Sequence, residues 1–142
     1  APFKIVALGN QLITSNTNNE TFSGLYSAER DSILAFIERE NIKGVIFLTG
    51  DRHFTELSAL KNAAGNWVYD LTTSPFTAGV NTNGNKESNT FRVPGTVVEQ
   101  HNFSILNFSG PRTKRQVNIS VYGEDGKQVW TRTITPEGTI EE

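Results

Sequence analysis

The stretch Gly44-Val45-Ile46-Phe47-Leu48-Thr49-Gly50-Asp51-Arg52-His53 constrains this chain more than any other. Val45 to Leu48 are all apolar, with no alternation. Such a run predicts a strand buried on both faces, which belongs inside a parallel sheet covered on both sides. It breaks off in a glycine followed by charged and titratable residues. A second strand of this kind, also predicted to be buried, reads Phe3-Lys4-Ile5-Val6-Ala7-Leu8 and stops at Gly9-Asn10. Between the two, Ser27 is the expected N-cap of a helix over 27–40, with Glu29 and Asp31 in its first turn, where the helix dipole favours carboxylates. Ile33, Leu34 and Ile37 fall on one face of that helix, with Phe36 at its edge. The helix is expected to end near Asn41, and Gly44 to begin the next strand. Strand, helix and strand predict a right-handed βαβ unit with parallel strands.

Beyond Phe54 the pattern changes. Residues 55–60 alternate as Thr-Glu-Leu-Ser-Ala-Leu and 67–71 read Trp-Val-Tyr-Asp-Leu, joined by the turn-rich Lys61 to Asn66. They predict a β-hairpin. Residues 14–24 and 77–96 are rich in Thr, Asn, Ser or Gly and predict loops. Phe103 to Phe108 alternates as a strand. Val117–Tyr122 and Gln128–Ile134 flank Gly123-Glu124-Asp125-Gly126, a hairpin signal of the Asp-Gly kind. The fold class expected is therefore α/β with α+β character: one βαβ unit followed by antiparallel hairpins. At 142 residues the chain is expected to be a single domain, 1–142.

Composition excludes several functions. Thirteen basic against fifteen acidic residues give a net charge of −2, so the chain has no electrostatic footprint for nucleic acid. Cysteine is absent, which removes disulfides, thiolate metal sites and a cysteine nucleophile. No apolar run approaches the roughly 18 residues of a membrane span, and no signal-peptide pattern opens the chain. Methionine is absent, including at position 1, so a fragment of a longer protein is expected.

The chemistry is expected where the buried strand runs into Gly50-Asp51-Arg52-His53. In α/β sheets, ligands sit beyond the carboxyl ends of the strands. Gly50 is expected to let the backbone turn sharply, and the spacing of Asp51 and His53 can bring a carboxylate and an imidazole to one side. That pair suits Fe, Mn, Zn or Ca, and the forked guanidinium of Arg52 suits phosphate oxygens. An Asp at a strand end is equally read as a turn residue or helix cap, and two ligands do not complete a site. His101 reads as a solvated or capping histidine. Trp67, Tyr69 and Trp130 read as packing residues. Thr72-Thr73-Ser74-Pro75 either supplies hydroxyls to a phosphate or ends a strand.

Four segments, in order, resemble the C-terminal part of the alkaline phosphatase D-like (PhoD-like) enzymes among the calcineurin-type metallophosphoesterases. They are Phe3–Ala7 with Gly9-Asn10-Gln11; Tyr26-Ser27-Ala28-Glu29-Arg30; Gly50-Asp51-Arg52-His53-Phe54; and the tail of Thr73-Ser74-Pro75, Asn102-Phe103, Asp125-Gly126 and Trp130. The resemblance implies the second half of a four-layer αββα metallophosphatase sandwich. It implies hydrolysis of phosphate esters by a multi-metal centre that clamps the phosphate and generates the attacking hydroxide. Asp51 maps onto a metal-binding aspartate. His53 maps onto an active-site histidine, either a metal ligand or a group that protonates and orients phosphate. Arg52 is variable in that motif. Tyr26, Glu29 and Arg30 lie either at the rim of the site or in a local ion pair beneath an aromatic lid.

The family's other ligand motifs lie upstream of Asp51 and do not occur here. The expectation is thus a fragment that is inert by itself, whose partners are a phosphate ester and the missing N-terminal half of its parent. Its metals are Ca, Fe, Mn or Zn, and the parent is expected to be periplasmic or secreted. The alternative is a non-catalytic α/β-plus-hairpin module that binds a partner or carbohydrate.

Overall fold

The computed structural model describes residues 1–18, 20–138 and 140–141. Two four-stranded sheets pack face to face, and helices cover the outer face of the first. The first sheet runs in the order β1 (Lys4–Asn10), β2 (Val45–Gly50), β4 (Trp67–Thr72), β3 (Glu56–Lys61). β1, β2 and β4 are parallel, and β3 returns antiparallel to β4. The second sheet, β5 (Asn102–Ser109), β6 (Gln116–Gly123), β7 (Gln128–Ile134) and β8 (Ile140–Glu141), is antiparallel throughout. The class is mixed α+β, and the expected parallel unit and both hairpins are present.

The apolar run of β2 is buried on both faces. Ile46 packs between the sheets with Leu57, Tyr69, Leu71, Val117, Ile119, Val121 and Trp130. Val45 and Phe47 point the other way, into a cluster with Leu12, Ile13, Val68 and the helix residue Ile37. Each such side chain contributes about 2 kcal/mol on leaving water. β1 departs from expectation. It is a sheet edge, and Ile5 and Val6 are about two-fifths exposed, because among the described residues only β2 pairs with it. β5 is the edge of the second sheet, and its Ile105 and Phe108 are also exposed. The rings of Phe3 and Phe108 meet edge to face at 5.8 Å, so both open edges lie on one side of the sandwich.

Two helices, α1 (Phe22–Leu25) and α2 (Ser27–Arg39), join β1 to β2. α1 begins within the stretch 14–24 expected to be a loop. Its Phe22 carbonyl accepts from the Tyr26 amide at 3.0 Å, so the chain runs straight into α2. Tyr26 therefore takes the N-cap place expected of Ser27, without a side-chain cap. At the other end Asn41 adopts φ +50°. The Ile42 amide reaches the Ile37 carbonyl and the Asn41 amide that of Glu38, a left-handed closure that satisfies two terminal carbonyls. Gly44 precedes β2 at φ +67°, where a Cβ would stand 2.1 Å from the Pro2 carbonyl oxygen.

The segment 77–96 is irregular but not idle. It runs along the free edge of β3, with hydrogen bonds from Ala59 to Phe91 and from Val93 to Leu57. This covering buries Glu56 and Ser58, which simple alternation along β3 does not predict. No helix among the described residues is long and apolar enough to cross a membrane.

Candidate active site at the carboxyl edge of the parallel strands

β2 ends at Gly50, and the next three residues form the turn. Asp51 and His53 both take left-handed backbone conformations, at φ +67° and +61°. Gly50 is not in that region; the sharp turn expected of the glycine is made by the two candidate ligands. Asp and His tolerate this region better than most residues, yet each placement costs on the order of 1 kcal/mol and such strain collects at functional sites.

Asp51 is exposed, and its carboxylate has no hydrogen bond or ion pair among the described residues. With Arg52 it lines a cleft of about 470 Å³, closed by Thr17, Asn18, Glu20 and Leu25. His53 is half-buried and is not among those lining residues. Its Nδ1 lies 2.5 Å from the Gly79 carbonyl oxygen. A carbonyl only accepts, so Nδ1 carries a proton, and in the neutral ring the lone pair is therefore on Nε2.

Arg52 is buried. Its guanidinium pairs with Glu87 and lies over the ring of Phe54 at 5.5 Å. Among the described residues, Nε has no hydrogen-bond partner. Glu87 also accepts from Asn16 Nδ2 at 2.8 Å and Asn81 Nδ2 at 3.1 Å. One carboxylate thus ties the Gly50–His53 turn to both loops beside it.

The segment Thr73–Pro75 and Asn102 converge beneath this turn. The His53 amide donates to the Ser74 hydroxyl at 3.0 Å, which in turn donates to the Phe54 carbonyl. Asn102 Nδ2 donates to the Ser74 carbonyl, and Thr55 Oγ1 donates to Asn102 Oδ1 at 2.7 Å. Ser74 therefore braces the turn. Arg30 pairs with Asp31 and donates to the Leu12 carbonyl, while Tyr26 packs on Phe22. Trp67 stacks on Tyr69, and Trp130 donates from its indole to the Thr96 carbonyl, both as packing residues.

Below the strand ends lies a buried carboxylate. Asp70 of β4 is fully buried and accepts from the Leu12 and Ile13 amides, each at 2.7 Å, and from the Thr49 hydroxyl at 2.6 Å. Burial pushes its carboxyl up to about 6, against the opposing pull of those three donors. Asp70 joins the loop after β1 to the last turn of β2. Nearby, Glu56 gathers Gln11, Asn89 and Arg92. An acidic residue inside the apolar run Trp67–Leu71 is the sequence signal that marks Asp70; Glu87 has none.

A model of the PhoD-like phosphatase family matches residues 2–118. The chain belongs to the PhoD-like phosphatases. It is also similar in fold to a solved structure described as "Structure of PhoD", at TM-score 0.68 and 15% identity, over 99% of this chain and 31% of that one. This chain thus spans under a third of that structure. A comparison with curated proteins found no match. PhoD-like phosphatases depend on metal in general. Here the unpartnered Asp51 carboxylate and the Nε2 lone pair of His53 fit a metal as donor types. Among the described residues, no cluster of three or more His, Cys, Asp or Glu side chains stands ready to hold one. Asp51 and His53 therefore match a metal by donor chemistry alone.

Proposed function

We propose that this chain is the second half of a longer, metal-dependent phosphate-ester hydrolase of the calcineurin-like type, and that it lends Asp51 and His53 to a metal centre completed by the rest of that protein. The observation that carries the reading is the strained Gly50–His53 turn at the carboxyl end of the central strand, with a free carboxylate facing a cleft. Asp51 and His53 Nε2 would hold Ca, Fe, Mn or Zn. Such a metal supplies Lewis acidity toward the phosphoryl oxygens. Arg52, at the same cleft, offers N–H groups to phosphate, with its plane fixed by Glu87 and Phe54.

Two further observations support a longer parent. The edges of β1 and β5 stand open together, with Ile5, Val6, Ile105 and Phe108 exposed. A largely apolar groove of about 360 Å³ between β1 and α2 is lined by Val6, Leu8, Ile33 and Phe36, together with Lys4. An unpaired edge beside exposed apolar side chains suits added strands and helix packing. The reading places the parent outside the cytoplasm, secreted or periplasmic.

The test is a chromogenic phosphate ester, supplied with Ca, Mn, Zn or Fe to the 142-residue chain and to the longer protein. Metal-dependent turnover is expected from the longer protein and none from the isolated chain. Asp51→Asn should abolish it, since Asn tolerates the same backbone but lacks the charge. Turnover by the isolated chain overturns the shared site. An active Asp51→Asn enzyme overturns the role of Asp51. A parent gene without an export signal overturns the location.

A further inference from the structure

The chain has two histidines, and they converge on successive carbonyls of one exposed segment. His53 Nδ1 lies 2.5 Å from the Gly79 oxygen, and His101 Nε2 lies 2.9 Å from that of Ala78. His101 Nδ1 faces Glu124 at 3.2 Å. His101 immediately precedes β5 and Glu124 lies in the β6–β7 turn, so both are carried by the second sheet. His53 lies in the turn after β2 of the first.

The segment between them has little else to hold it. Residues 76–79 are all exposed, Phe76 at 74%. The segment is anchored before Phe76 by the Asn102 amide on the Pro75 carbonyl, and after Gly79 by the Asn81 amide on the His53 carbonyl. Between these anchors, the carbonyls of Ala78 and Gly79 meet the two imidazoles. A carbonyl oxygen and a carboxylate are both acceptors. Each faces one ring nitrogen of His101: the Ala78 carbonyl accepts from Nε2, and the Glu124 carboxylate accepts from Nδ1 when the ring carries both protons.

We propose that His101, backed by Glu124, is a positioning residue for His53. By fixing the Ala78–Gly79 peptide it keeps the Gly79 carbonyl on His53 Nδ1. That holds the ring in the Nδ1–H tautomer and aims the Nε2 lone pair away from the loop. A histidine that ligates through one nitrogen is oriented in this way by an acceptor on the other. The second sheet thereby sets the chemistry of a residue on the first. The use made of Nε2 rests on the function proposed above; the tautomer and its dependence on His101 do not.

The experiment is a two-bond proton–nitrogen correlation spectrum of the chain labelled at its histidine rings, with amide dispersion as the folding control. Wild type should show His53 with a protonated Nδ1 and a bare Nε2. His101→Ala should shift His53 toward the mixed tautomers of a free imidazole. His101→Gln, whose amide still donates to Ala78, should restore the wild-type pattern. In the longer protein, His101→Ala should lower kcat about 10-fold with KM unchanged, as loss of an orienting partner does, and His101→Gln should recover it. An unchanged His53 tautomer in folded His101→Ala sinks the proposal and leaves the phosphatase reading standing. A tautomer that responds, in a protein whose Asp51→Asn variant remains active, supports the proposal and sinks that reading instead.

Discussion

The carboxylate of Glu87 pairs with the guanidinium of Arg52 inside the protein, their side chains 17% and 7% exposed. The pair joins the turn after β2 to the covering segment 77–96, and Asn16 brings in the loop after β1 through the same carboxylate. A charge in the middle of the Gly50–His53 turn is thereby paired where its side chain is mostly buried.

Removing one side of this pair should cost more than removing the other. Glu87→Ala leaves a buried guanidinium without its counter-charge, and a loss of about 3 kcal/mol is expected. Arg52→Met keeps the packing on Phe54 and leaves Glu87 with its two amide donors, so the loss should be smaller. Urea unfolding of both variants measures the difference. Equal losses would mean that packing, not charge, dominates here.

Backbone strain at Asp51 gives a second prediction. Asp51→Gly relieves the left-handed conformation at φ +67° and should raise stability by up to about 1 kcal/mol. The same change removes a proposed ligand, so in the longer protein phosphatase turnover should vanish while the melting temperature rises. A lowered melting temperature would show that the Asp51 carboxylate has a structural partner.

Asp70 makes stability depend on pH, with a definite sign. Its carboxyl is raised by burial from 3.8 to about 6, so the folded state holds the proton more tightly than the unfolded chain. The stabilisation this brings is fully present below pH about 4 and is lost as pH rises through about 6, a change of about 3 kcal/mol for two units. Asp70→Asn should flatten that part of the profile. Its amide oxygen can still accept from Leu12 and Ile13, and its NH2 can donate to the Thr49 hydroxyl, which has Thr72 at 3.0 Å as a new acceptor. Melting temperatures of both proteins between pH 4 and 7 check this, and parallel curves would remove Asp70 as the cause.

Gly44 anchors the outer strand. Gly44→Ala meets both a left-handed backbone and the Pro2 carbonyl oxygen 2.1 Å from the new Cβ, so a loss of about 2 kcal/mol is expected. The Lys4 amide, which donates to the Gly44 carbonyl at 2.8 Å, should exchange with deuterium faster than amides in β6. Unchanged exchange at Lys4 would show that the start of β1 is held elsewhere.

What the sequence determined by itself is what local pattern controls. Val45 to Leu48 have no polar face, so β2 had to be covered twice, by Tyr69 and Ile119 on one side and Ile37 on the other. Gly126 at φ +75° closes the β6–β7 turn because Asp125-Gly126 suits that conformation. The placing of Asp51 and His53 beyond a buried parallel strand follows from the same run. Tertiary structure decided the rest. Leu8 and Ile5 read like Ile46, yet β1 is an edge, because an edge is defined by which strands pair and not by the strand's own residues. Glu56 is buried because a segment distant in sequence lies over β3, and Arg52 points at Glu87 for the same reason. The convergence of His53 and His101 on the Ala78–Gly79 segment depends on how the two sheets pack, and no spacing along the chain encodes it.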